Sequence, residues 1–302
     1  MHFDPTDDGD NDMRSGNIAA NVSAFVGALW VSGAVWAQDS LQGLPSLGKP
    51  SQDGYDFQQP ATELMRDIRW LDSMILAIIT VITLFVTALM LIVVFKFNRK
   101  RNPTPATFTH NSALEIAWTL IPIIILIVIG SFSLPILFKQ QEIPVADLTI
   151  KATGNQWYWS YQYPDDAIGF DAVMLERDKL ASYGYAPDEW LLATDNAVVI
   201  PINKIVRVQV TGADVIHAWT IPAFGVKQDG VPGRLAELWF KAEIEGVYFG
   251  QCSELCGKNH SYMPITVKVV SQAKYDEWLK GAKVEFALGP VRPLPVDVAF
   301  AE

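Results

Sequence analysis

Two long runs of apolar residues, both free of charged side chains, dominate the first half of the chain. One run extends from Ser73 to Phe95 and the other from Ile116 to Phe138. A membrane-spanning helix needs about 20 residues, so each run is long enough to cross a bilayer with some tilt. Buried core helices are the alternative, but such helices rarely extend this far without a charge. The pattern predicts a transmembrane hairpin at 70–139, with helices at about 71–97 and 113–138.

From Leu148 onward, apolar residues recur at every second position, which is the period of a strand with one buried face. Strands are predicted at 157–163, 197–202, 206–210, 217–226, 235–242, 246–251 and 264–270, and a short closing helix at 271–282. Several short strands separated by Gly, Pro and Asn turns are typical of a sandwich or a barrel. The predicted fold class is an α+β membrane protein, in which an all-β domain follows the N-terminal two-helix hairpin.

The remaining segments are predicted to be a leader, a lead-in and a tail. The stretch 18–37 follows Met13 and Arg14, is weakly apolar and ends in small residues, which favours a signal peptide over a third membrane span. Gln38 would then be the mature N-terminus, and Met13 is an alternative start. The expected divisions are 1–37 for the leader and signal peptide, 38–69 for an irregular periplasmic lead-in, 140–284 for the β-domain and 285–302 for a flexible tail.

Basic residues cluster in the loop between the two predicted helices, at Lys96, Arg99, Lys100 and Arg101. Basic loops stay on the cytoplasmic side, so the chain is predicted to be a multi-pass protein of the bacterial inner membrane with both termini and the β-domain in the periplasm. From Lys139 onward there are 21 acidic and 15 basic residues. This balance disfavours nucleic acid and favours a basic protein partner, although ordinary solubility charge would produce the same count.

The two cysteines of the chain lie in one short segment. Cys252 and Cys256 are followed by His260 and Met263, so two thiols, an imidazole and a thioether occur within twelve residues. These soft ligands suit copper, because zinc and hard cations seldom use a thioether. A second imidazole is available from His217 at the start of a predicted strand. Two thiolates can bridge two copper ions, which leaves one imidazole for each ion.

Three other interpretations use the same residues. A disulfide is common in exported domains, but it would leave both histidines and Met263 unexplained. Zinc could be held by two cysteines and two histidines, although the spacing matches no common zinc finger and Met263 would be idle. A membrane-anchored copper chaperone or thiol oxidoreductase can also use two cysteines and a distant histidine. That class predicts alternating strands and helices and a single anchor, which the sequence does not show.

Taken together, these motifs resemble cytochrome c oxidase subunit II. The likeness rests on 252–263, 215–220, the aromatic run 156–161 and the helical hairpin, with further matches at 108–111 and 228–234. It implies a cupredoxin-like Greek-key barrel for 140–284. The implied function is to accept electrons from cytochrome c at a dinuclear copper A centre and to pass them to the haem-copper subunit I, supporting oxygen reduction to water and proton pumping. A copper-free quinol oxidase subunit of the same fold is an alternative, and the intact ligand set argues against it.

The resemblance also implies which residues hold metal ions and which partners the chain has. The copper A ligands would be His217, Cys252, the backbone carbonyl of Glu254, Cys256, His260 and Met263. The Glu254 side chain would help to hold a magnesium or manganese ion shared with subunit I. Subunit I, the other oxidase subunits, cytochrome c and membrane lipid would be the partners, and the chain would be a subunit of a proton-translocating oxidoreductase without holding its catalytic centre.

Further roles follow from the resemblance for residues outside the metal cluster. Trp157 would receive electrons from cytochrome c, although packing in a strand would also explain a tryptophan there. The acidic docking surface for cytochrome c would comprise Asp171, Asp195 and Asp214. Gln162 departs from relatives that often carry an acid at its position, which would alter the balance of docking. Glu115 would lie at the entrance of a proton path, although a capping box with Ser112 would also explain a glutamate there.

Overall fold

The computed structural model describes residue 41 and residues 43–288. The predicted leader, signal peptide and mature N-terminus at Gln38 lie outside the described residues, as does the predicted tail beyond residue 288. The described part of the chain begins with a short lead-in, continues into two long helices and ends in a β-rich domain.

The two long helices are α1, Glu63–Lys96, and α2, Ser112–Gln141. Both are long and apolar enough to cross a membrane, and neither is buried by the rest of the chain along its apolar window. Their large apolar side chains are exposed, as Phe85 and Phe138 illustrate. A lipid environment accounts for such surfaces, because proteins in water rarely expose apolar patches of this size.

Helix α1 begins at Glu63 rather than near residue 71 as predicted. Thr62 caps it, since the threonine hydroxyl accepts a hydrogen bond from the Met65 amide at 3.0 Å. Leu64 and Met65 are buried against the β-domain, so the first turns of α1 belong to the domain interface. The sequence prediction followed the charge-free window and therefore missed this polar extension of the helix.

The predicted capping box at the start of α2 is wrong. Asn111 is the N-cap, and its side-chain oxygen accepts a hydrogen bond from the Leu114 amide at 3.2 Å. Ser112 is instead the first residue of the helix, and Glu115 lies one position too late to complete a box. Asn is among the strongest N-cap residues, which explains why it displaces the serine. Helix capping therefore does not account for Glu115.

The β-domain contains most of the eleven strands found in the described residues. The strands are β1 Ser46–Gly48, β2 Leu148–Asn155, β3 Tyr158–Tyr163, β4 Ile168–Ala172, β5 Val198–Pro201, β6 Ile205–Gly212, β7 His217–Ile221, β8 Val226–Gly230, β9 Ala236–Lys241, β10 Gly246–Gln251 and β11 Pro264–Val270. Helix α3, Gln272–Glu285, follows them. This succession confirms the predicted class, a transmembrane hairpin followed by an all-β cupredoxin-like domain. It lacks the strand-and-helix alternation of a thiol oxidoreductase.

Two larger sheets and one hairpin build the domain. One sheet has the order β1-β10-β11-β5, the other has the order β4-β3-β2-β6-β9, and β7 pairs with β8. Side chains from both larger sheets and from α3 form one hydrophobic core that includes Trp159, Tyr161, Trp219, Phe240 and Trp278. The hairpin strand β7 lies against β10 and β2, which brings its first residue to the end of β10.

The lead-in is packed on the domain and contains a strand that the sequence did not predict. Strand β1 pairs in parallel with β10, and Ala61 exchanges backbone hydrogen bonds of 2.9 Å with Ala223 and Glu243. Ion pairs then connect α1 to its surroundings: Arg66 with Glu243 at 2.7 Å, and Lys139 of α2 with Glu63 at 2.7 Å and Asp67 at 2.6 Å. The domain is therefore fixed against the ends of both helices.

The first residues of the predicted flexible tail belong to the fold. The Gly169 amide donates to the Phe286 carbonyl at 3.0 Å, and the Leu288 amide donates to the Ala167 carbonyl at 2.8 Å. These bonds add a short segment to the edge of β4. Glu285 is still helical, so the predicted boundary at 285 falls inside an ordered element.

Candidate metal centre

One loop, between β10 and β11, carries most of the candidate ligands. Cys252 follows the last residue of β10 and Met263 precedes the first residue of β11. The Cys252 amide donates to the Met263 carbonyl at 3.4 Å, which closes the base of the loop. Because β10 and β11 pair in register from Gly246 to Gln251, a rigid two-stranded support holds both ends of the loop.

The remaining candidate ligand comes from a different part of the chain. His217 is the first residue of β7, and the Ser253 amide donates to the Ala218 carbonyl at 3.1 Å, which joins the loop to that strand. Gly250 allows the approach, because a Cβ at this position would lie 1.8 Å from the Thr220 carbonyl oxygen. The fold thus brings together residues 35 positions apart.

The sulfur and imidazole atoms converge in one pocket. The Cys252 and Cys256 Sγ atoms are 3.9 Å apart, and each has an imidazole Nδ1 close by. His217 Nδ1 lies 3.8 Å from the Cys252 sulfur, and His260 Nδ1 lies 3.4 Å from the Cys256 sulfur. Ligand atoms of His217, Cys252 and Cys256 all lie within 4.8 Å of one another, a spacing that suits a shared metal.

Two weaker donors complete the set predicted from the sequence. The Met263 Sδ atom is 3.4 Å from the Cys256 sulfur, and the Glu254 carbonyl oxygen is 3.3 Å from the Cys252 sulfur. The Glu254 side chain is exposed, so its backbone and its carboxylate point to different surroundings. All six predicted copper ligands therefore lie in or around one pocket.

The cysteines are buried free thiols. Cys252 is 5% exposed and Cys256 is 3% exposed, and no disulfide joins them. Their sulfur separation of 3.9 Å is far beyond the roughly 2.05 Å of a disulfide bond. The donors are soft sulfur and imidazole groups, which fit copper better than hard cations. The pocket therefore fits a copper centre, and it gives Met263 a place that zinc or a disulfide would leave unused.

The two thiols have different acidities. Burial opposes ionisation of Cys252, but His217, the Glu254 and Ala218 backbone groups and the second thiol lower its pKa to about 7. Burial and the neighbouring Cys252 raise the pKa of Cys256 to about 12. One thiolate therefore forms near neutral pH, and a cation must displace the proton of the second thiol.

Asp214 orients His217, a contact that the sequence did not predict. Its carboxylate is 2.8 Å from His217 Nε2 and accepts hydrogen bonds from the Gln156 and Val215 amides at 2.8 and 2.7 Å. Burial alone would raise the pKa of Asp214, and these hydrogen bonds lower it. Carboxylates of this kind fix the tautomer and the ring orientation of a metal-binding histidine. Here Nε2 is occupied, so Nδ1 faces the sulfurs.

Trp157 lies in the two-residue connection between β2 and β3 rather than within a strand as predicted. Its indole is half-buried and donates from Nε1 to the Cys256 carbonyl at 3.2 Å. The Gln156 side chain donates to the same carbonyl at 2.8 Å, and the Lys258 ammonium lies 5.8 Å from the indole centroid. The indole therefore joins the protein surface to the backbone of a candidate ligand.

Gly154 is a further residue of the site that the sequence did not identify. A Cβ at this position would lie 2.6 Å from His217 Cγ and 2.7 Å from two other atoms of that side chain. Only glycine therefore leaves room for the imidazole in its present orientation. The sequence offered no indication of this contact, because Gly154 and His217 lie on different strands.

The two other predicted docking acids lie together, one on β4 and one in the segment that follows it. Asp171 on β4 accepts a hydrogen bond from Ser160 at 2.6 Å, and Asp195 accepts from the Val173 and Asn196 amides at 2.7 Å. Burial raises the pKa of Asp195, which backbone hydrogen bonds oppose. Asn196, the residue after Asp195, donates from its side chain to the Asp171 carbonyl and so holds the two acidic residues close together.

Two predicted residues lie outside the pocket. Glu115 is half-exposed in the first turn of α2, at the end of the hairpin opposite the β-domain. Gln162 is half-buried on β3 and pairs in register with Lys151 and Gly169. Neither residue contributes a ligand.

Two family models match the chain. The one described as cytochrome c oxidase subunit II, transmembrane domain, matches residues 50–136, and the one described as cytochrome c oxidase subunit II, periplasmic domain, matches residues 148–270. The second match contains the whole ligand set, and the first contains both predicted membrane-spanning runs except the last residues of the second.

Similar proteins extend over most of the chain. The cytochrome c oxidase subunit 2 of Cereibacter sphaeroides is 56% identical over 271 residues, covering 85% of this chain and 89% of the relative. A probable cytochrome c oxidase subunit 2 of Rickettsia bellii is 45% identical over 261 residues, covering 86% and 91%. The crystal structure of the periplasmic domain of subunit II of cytochrome oxidase (CoxB) of Bradyrhizobium japonicum is 55% identical, covering 48% of this chain and 100% of that domain, with a TM-score of 0.44.

Proposed function

Since the chain belongs to the cytochrome c oxidase subunit II family, we propose that it accepts electrons from cytochrome c at a dinuclear copper A centre and delivers them to the haem-copper subunit I. The observation that carries this proposal is the pairing of each buried cysteine sulfur with its own imidazole nitrogen, at 3.8 and 3.4 Å. Such a duplicated donor set suits two equivalent soft ions better than one.

This geometry supports the following ligand roles. Cys252 and Cys256 would bridge the pair, His217 and His260 would each bind one ion, and Met263 and the Glu254 carbonyl would be the weaker ligands. When bound, the copper pair supplies a one-electron carrier whose structural change on reduction is spread over two ions. The chain contributes a dry pocket on rigid strands, because four of the ligand side chains are at most 5% exposed.

Acidic side chains of the β-domain support the proposed partners. Asp171, Asp195 and Asp214 would attract the lysine-rich face of cytochrome c, and such charge complementarity speeds association. The exposed Glu254 carboxylate would help to hold a magnesium or manganese ion at the contact with subunit I, since these ions prefer oxygen ligands. Within the oxidase, subunit I would hold the catalytic centre for oxygen reduction and proton pumping.

The membrane arrangement completes the proposal. The apolar helices cross the bacterial inner membrane, and the basic loop that joins them faces the cytoplasm. Both termini and the copper domain would then lie in the periplasm, where cytochrome c is found. Glu115 would lie near the cytoplasmic face at the entrance of a proton path into subunit I.

Rapid mixing of the purified oxidase complex with reduced cytochrome c tests this order of electron transfer. The absorbance of the copper site should change before that of the haems of subunit I. Reduction of the haems ahead of the copper site would contradict the proposal.

We expect the Trp157→Gln variant of the oxidase to receive electrons more slowly, because it loses the indole that reaches the Cys256 carbonyl. The affinity for cytochrome c should change by no more than about twofold, since the docking charges are retained. Stopped-flow reduction gives the rate, and titration gives the affinity. Trp239→Gln is the matched control, because the Trp239 indole also donates to a backbone carbonyl, that of Lys139, but lies beside the helix ends. Equal rates in the Trp157→Gln variant and the unmodified oxidase would refute the role of Trp157.

We expect the Met263→Leu variant of the full-length chain to retain copper but to have a higher reduction potential. The replacement nearly conserves volume, so it should cost less than about 1.5 kcal/mol of stability. It removes a sulfur that lies 3.4 Å from Cys256, and a lost donor destabilises the oxidised form more than the reduced form. Redox titration followed by absorbance measures the potential. An unchanged potential would show that Met263 is only a packing residue.

A further inference from the structure

Residues 173–194, between β4 and β5, form a segment that the proposed function leaves without a role. We call this segment the buttress. Its residues Leu175, Leu180, Tyr185 and Ala193 pack on Val247 and Phe249 of β10, forming a second hydrophobic cluster apart from the main core. The buttress therefore covers the strand that leads directly into Cys252.

The buttress also holds both strands that carry the ligand loop. The Gln251 side chain, next to Cys252, donates to the Leu191 carbonyl at 3.2 Å. On the other strand, the Thr266 hydroxyl donates to the Leu192 carbonyl at 3.3 Å and accepts from the Thr194 amide at 3.1 Å. Four consecutive residues, 191–194, thus contact the strand on each side of the loop.

The conformation of Leu191 indicates that this contact is tightly determined. Its φ is +73°, in the left-handed region that side chains other than glycine rarely occupy. Such a conformation persists only where its surroundings fix it. The Leu192 and Ala193 amides both donate to the Glu189 carbonyl at 3.0 Å, which forms the turn that aims the Leu191 carbonyl at Gln251.

The turn is itself anchored to the lead-in. The Glu189 carboxylate is buried and accepts a hydrogen bond from the Ala186 amide at 2.8 Å. Lys49, just after β1, lies 3.6 Å from Glu189 and 2.7 Å from Asp188. A continuous set of contacts therefore runs from the lead-in through the buttress to both ends of the ligand loop.

From these contacts we infer that Gln251 and Thr266 are positioning residues for the copper centre. Their hydrogen bonds hold β10, which ends just before Cys252, and β11, which begins just after Met263. The bonds thereby limit the separation of these two strands that would open the pocket. This inference rests on the proposed function. It adds that residues 191–194, which supply no ligand, control how firmly the site retains its metal.

The test uses the copper-loaded full-length chain in detergent, with copper release to a chelator as the measurement. Thr266→Val removes the hydroxyl at nearly constant shape, and Gln251→Met removes the amide donor while keeping chain length. Each variant should release copper about tenfold faster, the factor that corresponds to one lost buried hydrogen bond. Thr266→Ser is the conservative control: it retains a hydroxyl, so it should release copper at the rate of the unmodified chain.

A second measurement separates positioning from general stability. Val206→Ala, in the buried core of β6, should lower the thermal unfolding temperature of the copper-free chain without accelerating copper release. If Thr266→Val and Gln251→Met both release copper at the rate of the unmodified chain, the inference is overturned while the proposed function stands. If the unmodified chain binds no copper pair, the proposed function itself fails. Should Thr266→Val not fold, Gln251→Met decides, because Gln251 is only partly buried.

Discussion

The Cys252→Ser variant of the full-length chain is expected to lose the paired copper site altogether. A hydroxyl is a much poorer ligand for soft ions than a thiolate, and Cys252 would contribute one of the two bridges. The neighbouring donors at Cys256, His260 and Met263 remain close together, so a single ion could still bind on that side. The copper content should therefore fall to one ion per chain or fewer.

Metal analysis and absorption spectra of the purified variant check this expectation. Ser253→Ala is the matched control, because Ser253 is exposed in the same loop and its hydroxyl donates only to the Gln251 carbonyl at 3.2 Å. The control should retain both ions. A Cys252→Ser chain that still held two copper ions with an unchanged spectrum would show that this sulfur does not bridge them.

The Gly154→Ala variant is expected to bind copper at least about tenfold more weakly, the lower end of the effect seen when groups that orient a metal ligand are changed. The added methyl group would lie 2.6 Å from His217 Cγ, so the imidazole or the β2 backbone must move. Moving the ring would also break the 2.8 Å contact between His217 Nε2 and Asp214.

Copper titration of the full-length chain in competition with a chelator measures this loss of affinity. Gly169→Ala provides the control, since a Cβ on that residue would meet only the flexible end of the Leu288 side chain, at 2.7 Å. The control should bind copper as the unmodified chain does. Unchanged affinity in Gly154→Ala would mean that the pocket adapts and that the room around His217 is not needed.

The sequence predicted the parts of the site that lie close together in the chain. Cys252, Cys256, His260 and Met263 fall in one loop, so their spacing alone indicated a soft metal site. The second imidazole, His217, is distant in sequence, but it was the remaining histidine beside a predicted strand. The membrane hairpin could also be predicted from the sequence, because helices of soluble domains rarely contain a charge-free run of this length.

The contacts that orient the site could not be predicted, because they depend on how distant strands pack. The resemblance implies only a docking role for Asp214, and its hydrogen bond to His217 becomes visible only in the folded chain. Gly154 gave no indication for the same reason. The alternation of apolar and polar residues predicts a strand at Trp157, but the chain turns there and directs the indole to the Cys256 carbonyl.

The segments before and after the helices were predicted least well. Strand β1 has only three residues, too few to show a period of two, and it lies in a stretch rich in glycine and proline. The competition between Asn111 and Ser112 for the N-cap was settled in favour of asparagine, which the capping-box pattern did not anticipate. Pairing with the distant strand β10 determines β1, and the capping preference of one asparagine determines the start of α2. Neither effect is contained in the local pattern of apolar and polar residues.

The most direct test of the central claim is the metal content and the electron paramagnetic resonance spectrum of the full-length chain, reduced at its thiols and loaded with copper in detergent. We predict two copper ions per chain and a hyperfine pattern from one unpaired electron shared equally by two copper nuclei. A single copper ion, a localised one-copper spectrum, or no metal uptake by the reduced thiols would contradict it.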